Sequence, residues 1–147
     1  MTKVYLASPF FNPEQLEVVK LVESLLKNLG FQLYSPRLDG VIQDMSNEER
    51  QRSLKKIFDL NCKNMDEAEL ILAILNWRDA GVVFELGYGY AKGKTIIVFT
   101  SNDAPVNVML KESASVSVMS FQALEAALNE FQSGSPFTVQ ADERKVY

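Results

Sequence analysis

The side chains whose type and position could do chemistry are Glu85, Asp79, Asp59 and Tyr5. The chain contains no His, which excludes imidazole general bases, the commonest metal ligand and every triad built on imidazole. Carboxylates, tyrosines, lysines and the backbone remain. Glu85 stands in Val82-Val83-Phe84-Glu85-Leu86-Gly87-Tyr88, one turn into a predicted helix, and its neighbours three and four residues away are Val82, Tyr88, Gly81 and Gly89. None is cationic, so no helical ion pair occupies it. A carboxylate near a helix N-terminus is favoured by the helix dipole and held ionised by it, which suits a nucleophile better than a general acid. Its plainer role is a surface glutamate that satisfies the dipole. Asp79, six residues earlier, lies in the loop before that helix, where Asp commonly forms a turn or a cap. Asp59 falls to one side of the apolar stripe Leu54, Phe58, Asn61 and Met65, which reads as a solvated position. Tyr5 is in the middle of a first strand, an ordinary place for a core aromatic whose hydroxyl finds a partner. Residue types alone therefore describe an acidic pocket with aromatic walls.

Two glycine patterns carry less. Gly93-Lys94-Thr95 has the ending of a phosphate-binding loop, but that motif needs a glycine where Tyr88 stands and must follow a strand, whereas this one precedes it. Gly87-Tyr88-Gly89 lies inside a helix and not at a strand-to-helix turn, so close packing is its better explanation.

The elements that must position these residues follow from periodicity. Lys3 to Ala7 reads as a strand, and Asn12-Pro13-Glu14-Gln15 opens a helix at Pro13 with Asn as cap. Leu16, Val19, Val22, Leu26 and Leu29 recur at helical spacing up to Gly30, which marks the stop. Phe31 to Ser35 is a second strand and Pro36 to Met45 a loop. Ser46 to Glu49 is a capping box opening a helix that runs to about Met65. Glu69 to Leu75 and Thr95 to Thr100 are apolar runs of the kind found in strands covered on both faces. Between them come a loop, Asn76 to Gly81, and a helix, Val82 to Lys92. Val116 to Met119 is a fifth strand, and Phe121 to Phe131, capped by Ser120, the last helix. Strands and helices alternating at this spacing specify an α/β fold, a five-stranded parallel sheet in the order 2-1-3-4-5 with helices on both faces. Ligands of such sheets bind beyond the carboxyl ends of the strands at the switch point. That places the site at Ala7 to Phe11 and Asn76 to Gly81. Residues 1–132 form the expected domain and 133–147 a polar tail.

Composition excludes several classes. The 147 residues carry 15 Lys and Arg against 19 Asp and Glu, a formal charge of -4, so no basic footprint for a nucleic acid polymer exists. The single cysteine, Cys62, rules out an internal disulfide and reads as a small apolar helix residue, a buried thiol. No long apolar run suggests a membrane span, and the expected location is cytoplasmic.

Taken together, the opening Val4-Tyr5-Leu6-Ala7-Ser8-Pro9-Phe10-Phe11, the Asp79-x-Gly81 loop with Phe84-Glu85-Leu86-Gly87-Tyr88 and the segment Pro105-Val106-Asn107-Val108-Met109 resemble the nucleoside 2-deoxyribosyltransferases. The terminal Val146-Tyr147 also resembles the end of some members. The resemblance implies a flavodoxin-like fold, no metal or cofactor, 2'-deoxynucleosides and free nucleobases as substrates, and a homo-oligomer built from dimers with shared sites. It implies that Glu85 is the nucleophile, forming a deoxyribosyl ester that a second base opens, with retention from two inversions. Tyr5 would orient Glu85, while Asp59 and Asp79 would protonate the departing base and deprotonate the arriving one. Phe10 would wall the base, Asp39 would sit near the base edge, and Asn107 and Met109 would serve a neighbouring subunit's sugar. Tyr147 would bring its carboxylate near the base. Purine-only and purine-and-pyrimidine use are both compatible, and water could serve as acceptor. A 2'-deoxynucleoside 5'-monophosphate N-glycosidase is the alternative, for which Arg37 and Arg78 are the available cations, and a noncatalytic nucleoside-binding module is a third.

Overall fold

A computed structural model of the chain describes residues 1–38, 46–139 and 142–147. Strand β1 (Lys3–Ala7) leads into helix α1 (Pro13–Asn28), whose Asn12 side chain accepts from the Gln15 N–H with Pro13 in the first turn. Gly30 follows at φ 82, the left-handed conformation that lets the chain leave the helix. Strand β2 (Gln32–Tyr34) is followed by a tight 3-10 turn at Pro36–Leu38, where the sequence suggests only loop. Helix α2 (Asn47–Glu67) starts from the capping box of Ser46 and Glu49. Strand β3 (Leu70–Ile74), helix α3 (Ala80–Ala91) and strand β4 (Thr95–Phe99) form a βαβ unit with parallel strands. Helix α4 (Val108–Ser113), strand β5 (Val116–Val118) and helix α5 (Phe121–Ser133) complete the order. The sheet is parallel throughout in the order β2-β1-β3-β4-β5, as the pattern of the sequence implies.

Alternation along the strands sorts the core into two layers. Val4 and Leu6, Leu70, Leu72 and Ile74, and Ile97 and Phe99 face α1 and α5, where they meet Val22, Leu26 and Leu124. Tyr5 and Ala7, Ile71 and Ala73, and Ile96 and Val98 face the opposite way, onto Met65 of α2 and Val82 and Leu86 of α3. Tyr5 and Glu85 are therefore on the same side of the sheet.

Two boundaries differ from the sequence reading in ways that matter. Helix α3 begins at Ala80, not Val82, because Asp79 caps it, its carboxylate accepting the Val82 N–H at 2.9 Å. Helix α4 is missing from the sequence reading because it is a single short stretch of six residues, too brief to show periodicity; its signal was Asn107, whose side chain accepts from the Met109 N–H at 2.9 Å. The segment 142–147 is also not a frayed end. Val146 bridges Val106 in parallel, with the Val106 N–H donating to Lys145 and the Tyr147 N–H donating back to Val106. No helix among the described residues is long and apolar enough to cross a membrane.

Candidate active site

Glu85 projects from α3 toward β1, and the Tyr5 hydroxyl donates to its Oε1 at 2.8 Å. The Tyr5 ring is fully buried and Glu85 is half-buried. Burial pushes the Glu85 carboxyl up to about 7, the Tyr5 hydrogen bond works against that rise, and the negative charge of Asp79 adds to it. Burial and the facing carboxylate hold the Tyr5 hydroxyl well above the ordinary phenol range, so it stays a donor.

This corrects the expectation that the helix dipole keeps Glu85 ionised. The early start of α3 puts Glu85 in the second turn, whereas the dipole acts mainly within the first. Desolvation is then the larger effect, and the carboxyl becomes a group that exchanges its proton near neutrality.

Asp79 joins this centre from the turn before α3. An ideal Cβ on Gly81 would lie 3.0 Å from the Asp79 Oδ2, so the absence of a side chain there leaves room for the carboxylate. Asp59 is not brought in. It is exposed on α2 and paired with Lys55 one turn away, both carboxylate oxygens at 2.9 Å from Nζ. Cys62, one turn further along α2, is half-buried rather than buried, and its thiol is raised by desolvation and by the charges of Asp66, Asp59 and Glu85.

The remaining candidates are spread around the sheet. Phe10 packs into the layer under α1 and α5, its ring 4.7 Å from that of Phe11. Asn107 and Tyr147 line a cavity of about 250 Å³ together with Asn76, Trp77, Arg78 and Arg144. Within it the Arg78 guanidinium lies 5.7 Å from the centre of the Tyr147 ring. Arg144 is held by Asp142 at 2.5 Å, both side chains buried. Met109 is 74% exposed at the rim of an apolar groove between α3 and α4. Asp39 lies outside the described residues. Among the described residues no cluster of three or more carboxylate, thiol or imidazole groups is arranged to hold a metal.

The residue reading missed Tyr34 and Asn61. The Tyr34 ring stacks on Tyr5 with centroids 5.4 Å apart, and its hydroxyl donates to Asn61 Oδ1 at 2.8 Å. One signal was present: Asn61 stands in the stripe Leu54, Phe58, Asn61 and Met65 that the sequence reads as apolar, where an amide needs a partner, although only Asn61 and Met65 of the four turn inward.

A family model described as nucleoside 2-deoxyribosyltransferase matches residues 4–132. A 2-deoxyribosyltransferase from Bacillus psychrosaccharolyticus is similar in structure, with 30% identity and a TM-score of 0.75 over 84% of this chain and 90% of the other. A 2-desoxiribosyltransferase from Leishmania mexicana aligns with 26% identity and a TM-score of 0.54, covering 71% of this chain and 68% of that one. A protein of Thermofilum pendens, named as a 2'-deoxynucleoside 5'-phosphate N-hydrolase, is 27% identical over 95 residues, 65% of the length of each. With a match over nearly the whole sheet and its helices, the chain belongs to the nucleoside 2-deoxyribosyltransferase family.

Proposed function

We propose that the protein moves 2-deoxyribose between nucleobases by double displacement through a deoxyribosyl ester on Glu85. The observation that carries this reading is the Tyr5–Glu85 pair. One carboxylate oxygen is held by a buried phenol at 2.8 Å, and Oε2 accepts no hydrogen bond among the described residues. A fixed carboxylate with one unengaged oxygen is suited to attack at an anomeric carbon. In the first step the C1'–N bond breaks as the Glu85–C1' ester forms, and the departing base takes up a proton. In the second, an arriving base attacks C1', releases Glu85 and gives up a proton, so two inversions restore the configuration. Asp79, close enough to bias Glu85, is the nearer proton carrier. Asp59 would have to leave Lys55 to share that work.

Free 2'-deoxynucleosides fit better than nucleotides. Arg37, one of the two cations available for a 5'-phosphate, is clasped by the buried Glu23 through both Nε and Nη2. Arg78 alone favours the second reading, a 2'-deoxynucleoside 5'-monophosphate N-hydrolase, because it is exposed in its cavity and has no carboxylate partner among the described residues. The resemblance further implies a homo-oligomer in which Asn107 and Met109 serve a neighbour. The exposure of Met109, Phe84 and Tyr90 supports that arrangement.

Incubation with 2'-deoxyadenosine, acid quench and intact-mass analysis should find one added deoxyribosyl group on the wild type and none on Glu85→Ala or Glu85→Gln. Full base exchange by either variant overturns the mechanism. Base release from 2'-deoxyadenosine 5'-monophosphate, without exchange on the free nucleoside, selects the second reading. Adenosine should react far more slowly than 2'-deoxyadenosine, because an added 2'-hydroxyl buried without a partner costs about 1–3 kcal/mol; equal turnover contradicts the sugar preference.

A further inference from the structure

We propose that Tyr34 and Asn61 are positioning residues for the Glu85 centre: Asn61 holds the Tyr34 hydroxyl, and the Tyr34 ring backs the Tyr5 ring and sets the direction in which Tyr5 donates. The inference rests on the reading of Glu85 as the reacting carboxylate.

The geometry follows from the strand register. Tyr5 and Tyr34 are partners on adjacent parallel strands, so both rings leave the same face of the sheet. They stack with centroids 5.4 Å apart and planes 22° from parallel. Stacking by itself sets a ring's position only loosely, because offset stacking is broad in its preferred geometry. The tether to Asn61 adds a directional restraint. Asn61 reaches Tyr34 from α2, across the layer, and its Oδ1 accepts the hydroxyl at 2.8 Å. Strand β2 is also a three-residue edge strand, with a neighbour on one side only, so its side chains gain most from a contact outside the sheet.

Sequence chemistry supports the same role. Asn61 is partly buried on α2, one turn before the buried Met65, while Leu54 and Phe58 of the stripe read from the sequence are exposed, and a partly buried amide is costly unless it is bonded. A phenylalanine at position 34 would stack equally well. The phenol and the amide together are explained by each other, and the result is a continuous set of contacts from α2 through β2 and β1 to α3. Glu85 faces Tyr5 from β1, Asp79 from the turn before α3 and the Cys62 thiol from α2. Among these only the Tyr5 hydroxyl favours the carboxylate form, so its aim decides how far burial and Asp79 prevail.

The test uses Tyr34→Phe and Asn61→Leu, each of which removes the tether while keeping bulk in place, with Tyr5→Phe and the double variant Tyr5→Phe/Tyr34→Phe. The first readout is the Glu85 titration midpoint in the substrate-free protein, followed by carbon-13 NMR of the glutamate carboxyls and assigned with Glu85→Gln. Both tether variants should raise the midpoint by part of what Tyr5→Phe does, and the double variant should match Tyr5→Phe alone, since the tether acts only through that hydroxyl. The second readout is base exchange at pH 6, where kcat should fall roughly threefold to tenfold with KM nearly unchanged. A wild-type midpoint in both tether variants overturns the proposal, as does an additive shift in the double variant. If the midpoints move as described but the wild type exchanges no base, the positioning role stands and the transferase reading fails.

Discussion

As the nucleophile proposed above, Glu85 would meet two demands that oppose one another: desolvation to react and ionisation to attack. Its carboxyl, raised to about 7 by burial and by Asp79, sits between them. The rate constant for the free enzyme, kcat/KM, is therefore expected to rise with pH through about 7, and Tyr5→Phe should move that limb upward because the phenol favours the carboxylate. Stability runs the other way. An unfolded glutamate loses its proton near 4.5 while the folded one keeps it to about 7, so the unfolded chain binds fewer protons across that window and stability falls as pH rises through it. Glu85→Gln removes this cost while leaving Tyr5 an oxygen to donate to. Calorimetry should find the variant melting above the wild type at pH 8, by on the order of 1–2 kcal/mol after allowance for solvent contact, and level with it at pH 4.

At the scale of elements, α3 carries both a cap and the proposed reacting group, and the capping by Asp79 is separable from the proton transfer proposed for it. Asp79→Asn retains an oxygen for the Val82 N–H but loses the charge, whereas Asp79→Ala loses both. Chemical denaturation should find the Asn variant near wild type and the Ala variant weaker by about 0.5–2 kcal/mol. Exchange should drop in both if Asp79 handles the base proton, and near-normal rates in Asp79→Asn would remove it from the chemistry. The same helix lies close on β3. A Cβ on Gly89 would come within 2.3 Å of the Ile71 Cδ1, and Ile71 is fully buried. Gly89→Ala should therefore destabilise by about 1 kcal/mol net, overpacking exceeding the helix propensity gained; a higher melting temperature would show that Ile71 yields freely. Gly87 meets nothing within 4 Å, so only the second glycine of Gly87-Tyr88-Gly89 answers to the close packing its sequence suggests.

At the scale of the molecule, residues 142–147 tie the far end of the chain to the loop before α4. The Val108 N–H donates to the main-chain oxygen of Tyr147 at 2.8 Å, and the segment is anchored at its start by Lys111, which donates to the main-chain oxygen of Asp142, and by Arg144, which donates to that of Ala104. Removing Val146 and Tyr147 leaves that anchor and the sheet untouched, so the melting temperature should change little. Exchange activity should fall substantially, because Tyr147 and the Arg78 it stacks on line the cavity beside Asn107. Wild-type rates after truncation would assign the segment to packing alone. Light scattering should find an assembly larger than one chain, and Met109→Lys, which charges the rim of the apolar groove between α3 and α4, should weaken assembly and activity together. A fully active monomer would separate the two.

The alternation of apolar runs with amphipathic, capped segments determined the parallel sheet, its order and nearly every boundary, because each of those choices is made by neighbours within a turn or a strand. The same local pattern placed Asp59 in solvent, and it is exposed. What sequence periodicity did not contain was distance between elements. Tyr5 and Glu85 are 80 residues apart, and their hydrogen bond, like the Tyr34–Asn61 tether, exists only because parallel strands and two helices share one face of the sheet. The proton affinity of Glu85 was decided there too: spacing along the chain pointed to a dipole that favours charge, whereas burial between β1 and α3 opposes it, and desolvation is the stronger of the two.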